Sequence, residues 1–115
     1  MMTRLCPSAA VPEGEYRVLD FRPWSLVVAR VKGTLYAVEN VCGHQSLRLD
    51  GGEMKSGPGG EPCLQCPHHA MCFSLVDGRI VEDAGHLNMS PLTAFPAAER
   101  EGNIWVDLPS RGGAK

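Results

Sequence analysis

Three features of the sequence predict an all-β fold, an antiparallel sandwich or small barrel. Thirteen Gly and nine Pro cut the chain into short pieces. No piece keeps a helical apolar period for three turns, and the pieces alternate with two-residue turn signals. The first strand is expected at Glu15–Phe21. Ser25–Val31 and Thr34–Val41 flank Lys32-Gly33, a tight hairpin turn. Met71–Val76 and Arg79–Glu82 flank Asp77-Gly78, the strongest local hairpin signal because both residues tolerate positive φ. Leu92–Glu99 and Asn103–Leu108 flank a turn at Glu101-Gly102.

Two stretches break the pattern. Cys42–Leu49 directly follows a strand and reads as a loop. Gly51–Gly60 holds five Gly and one Pro and is expected to be a flexible surface loop. The chain's 115 residues are enough for one domain with a modest core. Its expected limits are 15–109, after an N-terminal extension over 1–14 and before a disordered tail over 110–115.

Composition excludes several function classes. A formal net charge of -2, with no basic run, argues against nucleic acid as a partner. No signal-peptide profile opens the chain and no 18 apolar residues run together, so a cytoplasmic protein without membrane contact is expected. In that reducing setting, five cysteines near histidines point to metal or redox chemistry before disulfides.

The chemistry-bearing residues are Cys42-Gly43-His44 and Cys66-Pro67-His68-His69. Read as C-x-H and C-x-x-H, they offer two thiolates and two imidazoles, one of each from each loop. Such spacings let one turn of backbone aim two side chains at a common point. Pro67 fixes φ, and Gly43 lets the backbone bend without a clashing Cβ. This donor set suits a tetrahedral zinc or an iron–sulfur centre equally. A second zinc arrangement uses Cys63-Leu-Gln-Cys66 as a C-x-x-C knuckle with Cys42 and His44.

The whole pattern resembles the Rieske ferredoxin family, whose signature is C-x-H followed by C-x-x-H. Gln45, Leu49 and Gly51-Gly52 around the first loop carry the likeness, as do Pro67, Phe73 and the Asp77-Gly78 turn after the second. The strand Tyr36–Val41 and the segment Asn103–Val106 extend it over nearly the whole chain. The resemblance implies one [2Fe–2S] cluster per chain, held at one tip of a Rieske-like fold by a two-loop subdomain spanning about 42–73. One iron would take Cys42 and Cys66, the other His44 and His69. It also implies one-electron transfer from a flavoprotein reductase to a terminal oxygenase or reductase by transient docking, with Arg48, Asp50, Glu53 and Lys55 on the rim.

This sequence departs from the family pattern at four points. The interval between the loops is long, His68 replaces a common aromatic, and Ala70 replaces a common Gly. The loop disulfide of respiratory Rieske proteins is missing, with Leu47 and His68 at those positions. That absence points to the soluble ferredoxin branch that serves dioxygenases. Met71 and Phe73 stand where high-potential members carry hydroxyl donors, so a midpoint in the lower part of the Rieske range is expected.

Alternatives are a small Rieske subunit of a nitrite-reductase-like enzyme and a structural zinc module. Oxygenase chemistry by this chain is not expected. It needs a mononuclear iron with two further His, and only His68 and His86 remain. Cys63 is expected in a strand, Cys72 in the core beneath the cluster, and Cys6 in a mobile N-terminus. Trp24, Tyr36 and Trp105 are read as sheet residues and His86 as a solvated loop residue.

Overall fold

The computed structural model describes residues 2–21, 24–40, 52–57, 59–66, 71–82 and 92–108, without the side chains of Phe21 and Glu82. Eleven strands lie among them: β1 (Met2–Pro7), β2 (Tyr16–Phe21), β3 (Trp24–Val31), β4 (Thr34–Glu39), β5 (Glu53–Ser56), β6 (Pro62–Gln65), β7 (Cys72–Ser74), β8 (Ile80–Glu82), β9 (Ala94–Phe95), β10 (Ala97–Arg100) and β11 (Asn103–Asp107). They form three antiparallel sheets, ordered β1-β11-β10, β2-β3-β4-β9 and β5-β6-β7-β8. Among the described residues no helix is long and apolar enough to cross a membrane.

The middle sheet has a core on each face, because β3 is apolar at successive positions and side chains alternate across a strand. Val27 and Ala29 pack with Val38, Leu64, Cys66, Met71, Phe73 and Leu75 toward the β5–β8 sheet. Leu26 and Val28 pack with Ala37, Phe95, Ile104 and Val106 toward the β1–β11–β10 sheet. The result is three layers over two cores.

Two of the three predicted hairpin turns form as two-residue turns, while at Asp77-Gly78 only Gly78 has positive φ, 81°, and residues 75–79 connect β7 to β8. Lys32 and Gly33 have φ of 52° and 78°, and Glu101 and Gly102 have 52° and 76°. Both residues of each pair are left-handed, the geometry that matches strand twist across a two-residue connection. The Glu13 carboxylate accepts hydrogen bonds from the Lys32 and Gly33 amides, closing the β3–β4 turn from outside.

Three expectations are corrected. The N-terminus is not a mobile extension: β1 pairs with β11 from Met2↔Asp107 to Pro7↔Asn103, and Cys6 and Val11 are buried. Arg30 fastens the segment that follows. Its guanidinium donates to the carbonyls of Val11 at 2.8 Å and Ser8 at 3.1 Å, and to both carboxylate oxygens of Glu99. The Gly-rich stretch is not wholly a loop, since Glu53–Ser56 forms β5 in register with β6. Its glycines serve the β5–β6 turn, where the Gly57 amide donates to the Glu61 carbonyl at 2.8 Å and the Gly59 amide donates to the Glu61 carboxylate at 2.9 Å. Leu92–Glu99 is two strands, broken at Pro96, which has no amide to donate to a ladder. The end of Thr34–Val41, the loop 42–49, His86 and the tail 110–115 lie outside the described residues.

Candidate metal centre

Of the four residues expected to hold the metal, the described part of the chain contains Cys66. Cys42, His44 and His69 lie outside it, as do His68, Arg48 and Asp50. Cys66 follows directly on β6, and its amide donates to the Met71 carbonyl at 2.6 Å. That bond extends the β6–β7 pairing one step beyond Gln65 and Cys72. The Cys66 thiol is free and buried among Leu64, Met71 and Phe73.

The stretch containing the other Cys/His pair is fixed at both ends. Before it, Asn40 is buried, and its amide donates to the Ser25 carbonyl at 2.8 Å. The Asn40 side-chain amide donates to Ser25 Oγ at 3.1 Å, and Ser25 Oγ donates to Asp20 at 2.6 Å. After it, the Tyr16 hydroxyl donates to the Gly52 carbonyl at 2.7 Å. The register then carries the argument: Glu53 at the start of β5 faces Gln65 at the end of β6. The strand that follows Gly52 therefore lies beside the strand that leads into Cys66. Two thiolates and two imidazoles, the donor set that the sequence offers, fit a [2Fe–2S] centre with mixed ligation.

The alternative with Cys63 does not survive the strand geometry. Cys63 lies within β6, opposite Ser74 on β7, while Leu64 and Cys66 belong to the core on the other face. Residues three apart on an extended strand point to opposite faces, so Cys63 and Cys66 cannot form a knuckle. Burial pushes the Cys63 thiol above its ordinary range, and the neighbouring Glu61 and Cys72 add to the shift. Cys72 faces Gln65, two positions out of register with Cys63, so this pair is not set directly opposite for a disulfide. Cys72 is only half-buried, and the side chains in the core with Cys66 are Met71 and Phe73. The expected inward Cys72 is therefore one position off, because the chain alternates inward at 71, 73 and 75. Cys6 is buried in the opposite core, and burial raises its thiol as well, partly offset by Arg4.

Of the expected rim residues that are described, Glu53 and Lys55 are exposed and paired at 3.7 Å. Trp24 and Trp105 are half-buried sheet residues: Trp24 packs edge-on to Phe95 at 5.3 Å, and the Arg100 guanidinium lies 5.6 Å from the centre of the Trp105 ring. Tyr36 is also half-buried, against the core on the Cys66 side.

Comparison with known proteins agrees with this architecture. A family model described as the Rieske [2Fe-2S] domain matches residues 1–96. The 3-phenylpropionate/cinnamic acid dioxygenase ferredoxin subunit of Escherichia coli (strain K12) is 32% identical over 104 residues, 90% of this chain and 91% of that one. A chain of a complex of reduced oxygenase and oxidized ferredoxin in carbazole 1,9a-dioxygenase is 25% identical, with a TM-score of 0.74 and 91% of each chain covered. A putative NADH-dependent nitrite reductase small subunit from Mycobacterium tuberculosis shares the fold, with a TM-score of 0.79 at 22% identity and 96% of each chain covered. One [2Fe–2S] cluster is the cofactor that these matches imply. With a family model spanning most of its length and a relative above 30% identity, this chain belongs to the Rieske [2Fe–2S] family.

Proposed function

We propose that this protein is a one-electron carrier that receives electrons from a flavoprotein reductase and delivers them to an oxygenase. Cys42 and Cys66 would hold one iron of the cluster, and His44 and His69 the other. When bound, the cluster supplies a single-electron couple whose two neutral imidazole ligands make it easier to reduce than an all-cysteine centre. The chain's own residues supply the rest. The core around Cys66, built from Leu64, Met71 and Phe73, keeps water from the thiol side of the centre. The bond from Cys66 to Met71 and the anchored flanks at Asn40 and Gly52 fix the described residues that border the two Cys/His segments. A rigid frame of this kind limits reorganisation between the two redox states.

The observation that carries this reading is the near full-length match to a dioxygenase ferredoxin subunit. The likeness to the nitrite reductase small subunit is one of fold, so it does not displace the carrier reading. The protein acts in the cytoplasm, docks transiently, and has no substrate site of its own. Glu53 and Lys55, exposed on the strand that leaves the first loop, would lie on the docking rim.

The test is direct. Purified protein is assayed for iron and acid-labile sulfide, then reduced with dithionite for an EPR spectrum and with a flavoprotein reductase for turnover. Iron and sulfide in equal amounts, a Rieske-type signal and reduction of the isolated chain are expected. A colourless protein carrying zinc, or one stable only together with a large reductase subunit, would overturn the proposal.

A further inference from the structure

We infer that the Tyr16 hydroxyl is a positioning group for the metal centre: it clamps Gly52, where the chain leaves the first Cys/His segment and enters β5, to the middle sheet. The inference rests on the cluster reading above and on three observations of geometry. Tyr16 stands on β2, its ring packs against the core that contains Cys66, and its hydroxyl reaches Gly52 at 2.7 Å. Gly52 leads directly into β5, where Glu53 faces Gln65, the residue before Cys66.

The third observation is how weakly β5 is otherwise held. It is an edge strand, paired on one side with β6. Glu53, Lys55 and Ser56 are exposed, and Met54 is the one side chain of the strand that packs on the core. An edge strand anchored by a single apolar side chain opens easily, so one well-placed hydrogen bond across layers has a large share in holding it. The other flank of the first loop is tied through Asn40 to Ser25 on β3. Tyr16 is its counterpart on β2, so two neighbouring strands of one sheet hold both ends of that loop.

The experiment uses Tyr16→Phe, which keeps the ring and removes the bond, with Ile104→Val as a control. Ile104 is buried in the core on the far side of the middle sheet, so that variant lowers global stability without touching the loops. Loss of visible absorbance in the presence of an iron chelator is expected to run about five-fold faster in Tyr16→Phe than in wild type, the effect of one net hydrogen bond. The EPR lines of the reduced Tyr16→Phe protein should broaden as the loop geometry spreads. Ile104→Val should keep both the wild-type bleaching rate and the wild-type line shape.

Wild-type behaviour of Tyr16→Phe would overturn the inference, and so would equal bleaching of the two variants. Failure of the underlying cluster reading looks different, since wild-type protein would then carry neither iron nor sulfide. In that case amide hydrogen exchange at Gly52–Met54 still decides the clamp. Faster exchange in Tyr16→Phe supports it, and unchanged exchange sinks it.

Discussion

Gly78→Ala probes how closely the β7–β8 hairpin is pressed onto the middle sheet. Gly78 has φ of +81°, and a Cβ built there would lie 2.2 Å from the Leu92 carbonyl oxygen and 2.8 Å from its carbon. The atoms in the way are backbone, so a rotamer change cannot clear them. The Gly78 carbonyl also accepts the Leu92 amide at 2.8 Å, and Leu92 is buried in the core with Cys66. Relief of the clash must therefore break that bond and draw Leu92 outward. The left-handed backbone alone costs an alanine about 1–2 kcal/mol. The lost hydrogen bond adds about 1 kcal/mol, and the displaced packing about 1–2 kcal/mol. The sum, about 3–5 kcal/mol, is a large part of the stability of a small domain. Gly102→Ala separates the terms, because Gly102 has φ of +76° and nothing within 4 Å of its would-be Cβ. It should cost only the first term. Denaturant unfolding of both variants gives the difference, expected at about 2–3 kcal/mol. Gly78→Ala no more destabilised than Gly102→Ala would refute the close approach as the reason for glycine there.

Three further outcomes are expected. Cys63→Ser should retain wild-type iron and sulfide, since Cys63 points away from the face that holds Cys66, whereas Cys66→Ser should lose both on metal analysis. Glu99 should contribute to acid stability. Its hydrogen bond from Arg30 holds the carboxyl below its ordinary range, so the unfolded chain takes up a proton before the folded one does. That contribution is present above the unfolded carboxyl's pKa and disappears as pH falls through the folded one. Glu99→Gln should therefore lower Tm near neutrality and converge on wild type in acid, and a gap that persists in acid would contradict the assignment. The redox midpoint should fall in the lower part of the roughly −150 to +300 mV Rieske span, because Met71 and Phe73 offer no hydroxyl donors beneath Cys66. A titration giving more than about +150 mV would exclude this.

Sequence reasoning succeeded where the physics is local and failed where it is not. Positive φ at Lys32-Gly33 and Glu101-Gly102 is a property of two residues, so those turns could be read directly. β1 could not, because what makes Met2–Pro7 a strand is a partner at the other end of the chain. β5 was hidden by its glycine-rich surroundings, since Met54 is its single core contact and leaves almost no alternating pattern. At the candidate centre the donor types and their spacing were legible as a metal site, and the cofactor followed from the resemblance carried by the flanking residues. Cys63 was read as a strand residue, and the face of β6 on which it lies is what excludes the knuckle with Cys66. That face is set by pairing, not by spacing. Tyr16 gave no signal at all, since its hydrogen-bond partner is a backbone carbonyl far along the chain.

The pairing of β1 with β11 also sets an order for biosynthesis. Met2 faces Asp107, so β1 waits for β11, about a hundred residues later, before its sheet can form. The β5–β8 sheet draws on residues 53–82 alone and can assemble well before that. Ring closure over such a long stretch of chain is the slow step, and it comes after the local hairpins. The sheet that leads into Cys66 can thus form while the opposite core, with Val11 and Ile104, still lacks its last strand.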